Sequence, residues 1–231
     1  MEAQSLSNAF SDSLKEEAAA CATDLVEVGL DAIMDDGLLK DIPILSTAIA
    51  IYKIGNSFRE RHNVKKLIQF INEINKGIDD EQKRIEYQKK FKDNEQFRNQ
   101  EIEYLLVLID RYVSFDKPRL LAKLYLAYLE DNIIWEELLM YAEVIDRFLL
   151  LDCRTLILGD GDIIVHKNIG GESVLRLVAL GLMVETTELS PFVQHGNGNI
   201  GFTFGKLKKA VSTDRVYRRT EFGDKLAEIL R

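Results

Sequence analysis

The sequence predicts a mainly α-helical protein in which an N-terminal multi-helix bundle precedes a small α+β domain. Only 3 of the 231 residues are proline, and this favours long helices because proline inside a helix costs about 3 kcal/mol. Apolar side chains recur every three or four residues as far as Leu151, which is the spacing of one helix face. After Asp152 glycine becomes dense and β-branched residues form short runs, which indicates strands and turns.

Several helices are predicted in the first 151 residues. Residues 11–34 carry an apolar stripe, and Asp41 with Pro43 begins a second, almost wholly apolar helix. A third helix covers Val64–Ile74, and a charged, largely solvated one runs through 79–100, where a sub-boundary near 77–100 is possible. From Glu101 the pattern predicts three closely spaced helices, the last two of them Pro118–Leu129 and Trp135–Leu151.

The predicted second domain spans residues 152–231. Glu172–Leu180 is expected to form a helix that stops at Gly181. Strands are expected at 183–189, 200–204 and 216–219, and Thr220 is expected to cap a closing helix, Glu221–Leu230.

Two segments of this second domain resemble bacterial winged-helix domains. Leu177-Val-Ala-Leu-Gly-Leu-Met-Val is similar to the helix end that precedes the wing, and Tyr217-Arg-Arg-Thr-Glu-Phe-Gly-Asp-Lys-Leu to the opening of the last helix. The resemblance covers roughly Leu150–Arg231 and implies a winged-helix-like fold. Many winged helices bind protein, so it does not by itself imply DNA binding.

The rest of the chain resembles uncharacterised bacterial and prophage helical proteins of the abortive-infection-alpha type. The resemblance depends on Asp41-Ile-Pro-Ile, on the helix end Asp110-Arg-Tyr, and on the winged-helix-like tail. It implies a role in defence against phage and carries over no catalytic residue.

No pattern of an enzyme, cofactor or metal site is present. Gly201–Leu207 is one residue short of a phosphate-binding loop, and Gly159–Asp162 lacks the glutamate that closes a calcium loop. The three histidines are scattered, and the two cysteines, Cys21 and Cys153, are too far apart in sequence for a zinc motif. We therefore expect no catalytic, cofactor-binding or metal-ligating residues.

The apolar segment 38–54 has two interpretations. Its uncharged run from Ile42 to Tyr52 is 11 residues long, whereas a spanning helix needs about 20. A core helix is therefore favoured over a membrane segment. The residues concerned are Ile42, Ile44, Leu45, Ile49, Ile51 and Ile54.

Basic residues near the C-terminus form a candidate surface for nucleic acid or a partner. The net charge is −8 overall, but residues 165–231 hold 10 basic and 7 acidic residues, a net of +3. Phosphate contacts use such clusters. The candidates are Arg176, Lys206, Lys208, Lys209, Arg215, Arg218 and Arg219.

These observations favour a non-catalytic interaction or assembly protein. The first residues lack the basic end and apolar run of a signal peptide, so we expect a cytoplasmic protein. The partner is expected to be another protein or a second copy of the chain, and exposed aromatics such as Phe91 and Phe97 are expected to help self-association. The alternatives are a winged-helix DNA-binding regulator and a membrane-acting effector that uses segment 38–54.

Overall fold

The computed structural model describes residues 5–27, 42–52, 58–159, 163–165, 171–186 and 215–231. The prediction of a mainly helical chain is confirmed, since these residues form eleven helices and one small sheet. The chain divides into two units, Met1–Arg147 and Phe148–Arg231. The division predicted from sequence, after Leu151, lies inside a helix of the second unit.

The first unit contains eight of the described helices. In chain order they are α1 Leu6–Ser13, α2 Glu16–Glu27, α3 Pro43–Tyr52, α4 Phe58–Lys76, α5 Glu81–Asp93, α6 Glu95–Arg111, α7 Lys117–Leu129 and α8 Trp135–Arg147.

The short helix α1 lies at the centre of this unit and packs against α3, α5 and α6. Its Phe10 is 1% exposed and belongs to an aromatic cluster with Phe70, Phe91 and Tyr125, whose ring centroids lie 4.9–6.4 Å apart. Aromatic pairs at such separations add to the free energy of burial. Phe91 is therefore a core residue with 0% exposure, and its predicted role in an exposed self-association surface is wrong.

Buried serine hydroxyls of α1 form hydrogen bonds that allow this helix to pack among other helices. The Ser7 hydroxyl donates to the main-chain oxygen of Phe91 at 2.8 Å. The Ser13 hydroxyl donates to the Ala9 oxygen at 2.8 Å and accepts the Ile44 N–H at 2.9 Å. Because the first N–H groups of a helix have no partner within the helix, Ser13 supplies one for α3 from a distant part of the chain.

The predicted helix over residues 11–34 differs from the structure. The chain breaks between α1 and α2 at Leu14 and Lys15, and residues 28–34 lie outside the described residues. Leu14 is fully buried at the break. The apolar stripe is therefore divided between two helices, because packing around Leu14 overrides a pattern that one helix could also satisfy.

The second unit consists of α9 Leu150–Leu158, β1 Ile163–Val165, α10 Glu172–Ala179, β2 Met183–Thr186, β3 Arg215–Arg219 and α11 Glu221–Leu230. The sheet is antiparallel with the order β1-β3-β2, and Tyr217 pairs with both Ile163 and Glu185. The predicted helix Trp135–Leu151 is too long, since α8 ends at Arg147 and α9 starts at Leu150. The strand predicted at 200–204 lies outside the described residues.

Turn chemistry matches the sequence at the end of the chain. Thr220 caps α11 by accepting the Gly223 N–H at 3.0 Å, as expected for a threonine at this position. Gly181 has φ +74°, a left-handed conformation that suits glycine after a helix. Gly223 has no room for a side chain, because a Cβ atom there would lie 2.0 Å from the Leu182 oxygen.

Candidate functional site

A cleft of about 310 Å³ lies in the first unit between α3, α4 and α6. Its walls are mainly aliphatic, with contributions from Ala48, Ile49, Val64, Leu67, Leu106 and Val107. Binding sites for small molecules have volumes of about 300–1,000 Å³ and mostly apolar walls. The cleft is at the lower end of that range.

Two polar side chains line the same cleft. Asn63 of α4 donates a short hydrogen bond from its amide nitrogen to the Asp110 carboxylate at the end of α6. One turn along α4, the Lys66 ammonium donates to the main-chain oxygens of Asp110 and Tyr112 at 2.9 and 2.7 Å. Cations are favoured at a helix C-terminus, where main-chain oxygens lack partners. Lys66 is 1% exposed and so stabilises the helix end that presents Asp110 to the cleft.

Apolar side chains that are exposed or half-buried lie on α6 and α8 and form what we call the α6–α8 surface: Tyr104, Val107, Trp135 and Met140. A Tyr104–Trp135 ring pair, with centroids 6.1 Å apart, joins the helices at one end, and ion pairs of Arg111 with Glu143 and Asp146, at 2.9 and 3.1 Å, join them at the other. On α6, Val107 lies between Tyr104 and Arg111 at helical spacing, and on α8 Met140 lies three residues before Glu143. Tyr104, Val107 and Met140 are 44%, 58% and 56% exposed. Apolar groups grouped in this way commonly mark an interaction site.

A buried polar cluster elsewhere in the first unit does not border the cleft. Glu101 is 2% exposed, and its carboxylate accepts hydrogen bonds from Arg98 at 2.6 Å and from the Tyr128 hydroxyl. Burial and then the bond to Glu101 raise the pKa of Tyr128 to about 12. The phenol therefore keeps its proton at neutral pH and links α7 to α6.

In the second unit Arg176 is part of the fold. Its guanidinium donates to both oxygens of Asp152, at 2.7 to 3.1 Å, and Ser173 donates to the same carboxylate at 2.7 Å. Asp152 is 0% exposed and also accepts the Leu149 N–H at the start of α9. Burial disfavours the ionised carboxylate, but the bonds from Arg176, Ser173 and Leu149 outweigh it and hold the pKa of Asp152 below its usual value. Arg176 thus joins α10 to α9.

The other predicted basic residues are not brought together among the described residues. Arg219 donates to the Asp224 carboxylate at 2.6 Å and to the Leu156 oxygen at 2.9 Å. Arg218 is exposed on β3, opposite Val184. Lys206, Lys208 and Lys209 lie outside the described residues, and for Arg215 only the backbone position on β3 is described.

The apolar segment contributes to both the core and the cleft. Ile42, Ile44 and Leu45 are at most 1% exposed, and Leu45 and Ile49 line the cleft. Ile51 is described only as part of α3, and Ile54 lies outside the described residues. Among the helices that the structure describes, none has both the length and the apolar character needed to cross a membrane.

Comparisons with family models, curated proteins and solved structures give no match.

Sequence reasoning missed the cleft and the α6–α8 surface. Asn63 and Leu67 lie on α4 and Asp110 lies on α6, which is distant in sequence, so no local spacing indicates that they meet. A weak signal was present for the surface, because Tyr104 and Val107 lie three residues apart and fall outside the buried stripe of Ile102, Leu105 and Ile109.

Proposed function

We propose that the first unit is a non-catalytic protein-binding module that holds a basic amphipathic helix of a partner protein against the α6–α8 surface. The observation that carries this proposal is that Tyr104, Val107 and Met140 are about half exposed on two helices that a ring pair and ion pairs join. An amphipathic helix buries its apolar face in such a surface through side chains at helical spacing.

The charge of α6 and α8 favours a basic partner over a second copy. Residues 95–111 and 135–147 together hold 8 acidic and 3 basic side chains, a net of −5. Two copies that met through this surface would bring like charges together, which opposes association. A helix with lysine or arginine beside its apolar stripe would instead meet opposite charge.

For the second unit we propose a winged-helix-like module that contacts protein in preference to reading DNA. The winged-helix assignment is supported by the order helix, strand, helix, strand, strand, helix and by the central position of β3. The protein-directed role is supported by the use of Arg176 and Arg219 within the fold, since base reading draws on side chains that reach outward. A DNA-binding regulator is the alternative.

The resemblance to abortive-infection proteins suggests a setting for this module in bacterial defence against phage. In that setting the partner helix would belong to a phage protein or to a bacterial effector. A plating assay tests the setting: cells that express the chain should support fewer plaques than cells that do not, and Met140→Gln should restore the count. Equal plaque counts with and without the chain would remove the defence role and leave the binding proposal standing.

The binding proposal can be tested with model peptides, because the one tryptophan, Trp135, belongs to the α6–α8 surface. A leucine–lysine amphipathic helix and its leucine–glutamate counterpart are titrated while Trp135 fluorescence is recorded. The lysine peptide should bind more tightly, and its affinity should fall as salt rises.

Met140→Gln should lower the affinity for the lysine peptide by roughly fivefold or more, since burial of half a methionine side chain contributes about 1 kcal/mol. Ile85→Gln is a matched control, because Ile85 on α5 is also 56% exposed, like Met140. Equal binding of the two peptides, or equal effects of the two substitutions, would contradict the proposal. A stable dimer that shields Trp135 would instead establish a second copy as the partner.

A further inference from the structure

We propose that the cleft between α3, α4 and α6 binds an aliphatic small molecule that carries one hydrogen-bond-donating head group, a hydroxyl or an ammonium. The inference does not depend on the proposed partner helix, because most of the cleft is lined by residues that take no part in the α6–α8 surface. Only Val107 belongs to both.

The walls select an aliphatic body. Ala48 and Val64 are each 2% exposed, yet they face about 310 Å³ of open space together with Ile49 and Leu67. The cleft is partly open to solvent, and water beside its aliphatic walls finds few polar partners. An aliphatic chain would displace this water and bury the apolar walls.

The polar residues of the lining select the head group. Asn63 and Asp110 are hydrogen-bonded to each other there. The neighbouring cation Lys66 directs its ammonium to the main-chain oxygens of Asp110 and Tyr112. A carboxylate accepts hydrogen bonds from a hydroxyl or an ammonium and repels an anionic head. The cleft should therefore discriminate against fatty acids.

Three probes of equal chain length test this selectivity: octan-1-ol, octylamine and octanoate. Binding is measured by calorimetry and by the shift in the melting temperature of the full chain. A ligand at a hundredfold excess over its Kd should raise the melting temperature by roughly 5–10 °C. Octan-1-ol and octylamine should bind at least about tenfold more tightly than octanoate, because octanoate places a second anion near Asp110.

Variants locate the binding. Ala48→Phe fills the cleft and should abolish binding, and Ile49→Trp fills it from a less buried position if Ala48→Phe does not fold. Asp110→Asn should bring the affinity for octanoate close to that for octan-1-ol, because it removes the anion and keeps one oxygen that can accept from a hydroxyl. Met140→Gln, which alters only the α6–α8 surface, should leave all three affinities unchanged, so this test and the peptide test can fail separately.

The proposal is overturned if none of the three probes binds, or if octanoate binds as tightly as octan-1-ol. It is also overturned if a folded cleft-filling variant binds with unchanged affinity.

Discussion

Substitution of Asp152 by alanine should destabilise the second unit strongly. Its carboxylate is wholly buried and accepts four hydrogen bonds from Arg176 and Ser173 and one from the Leu149 N–H. Loss of a helix cap costs about 1 kcal/mol, and loss of a charge-assisted hydrogen bond to a buried hydroxyl about 1.5–3 kcal/mol. Ser173 keeps a second bond to Thr155 at 3.0 Å, which moderates the loss. The free energy of unfolding should fall by roughly 2–4 kcal/mol.

Cys153 provides the assay for this unit. Its side chain is 7% exposed, so its thiol reacts with a disulfide reagent mainly after the unit opens. In a Cys21→Ser background it is the one remaining thiol, since the chain has two cysteines. A loss of 2–4 kcal/mol should speed labelling by roughly 30- to 700-fold. The rate in denaturant serves as the reference for each variant and corrects for intrinsic reactivity.

Arg154→Ala is the matched control, because Arg154 is exposed on the same helix, α9. It should leave the labelling rate nearly unchanged. If Asp152→Ala accelerates labelling by no more than Arg154→Ala does, the network does not hold α9 and α10 together, and Arg176 regains its place as a candidate binding residue.

Three further predictions concern pH and packing. The pKa of Asp152 is lowered in the folded state, so its contribution to the free energy of unfolding is present above its unfolded pKa of about 3.9 and is lost as pH falls below that value. In urea unfolding at pH 3, the difference in stability between the wild type and Asp152→Ala should therefore be smaller than at neutral pH, and an unchanged difference would contradict this. Gly223→Ala should destabilise the second unit and speed the labelling of Cys153, because the new Cβ would lie 2.0 Å from the Leu182 oxygen. A labelling rate equal to that of the wild type would show that the backbone moves to make room. Lys66→Met should lower the stability of the first unit by about 2–4 kcal/mol, since the main-chain oxygens of Asp110 and Tyr112 lose a charged donor. Urea unfolding followed by Trp135 fluorescence measures this loss, and a loss under about 1 kcal/mol would refute the role of Lys66 in stabilising the end of α6.

Local signals predicted those elements whose ends are set by local chemistry. Thr220 and the helix after it follow from a side chain that caps its own helix, and the predicted bounds Glu221–Leu230 are confirmed. The helix with Pro118 in its first turn was placed to within one residue, since the structure starts it at Lys117.

Contacts between distant residues were not accessible to spacing rules. Arg176 looked like an outward-facing reader, but its partner Asp152 lies 24 residues away. Phe91 looked solvated because α5 is highly charged. Tyr87 and Phe91, four residues apart and both buried, were the available signal of an inward face on that helix.

The central position of α1 bears on how the first unit is completed during synthesis. Ser7 in α1 bonds with Phe91 and Asn99, which are 84 and 92 residues further along the chain. At about 5–20 residues per second, these partners leave the ribosome roughly 4–18 s after α1. A helix of eight residues is not stable by itself. We therefore expect α1 to lack helical structure, or to be bound by a chaperone, until α6 has been synthesised. The earliest helix of the unit is thus expected to be among the last to gain its final contacts.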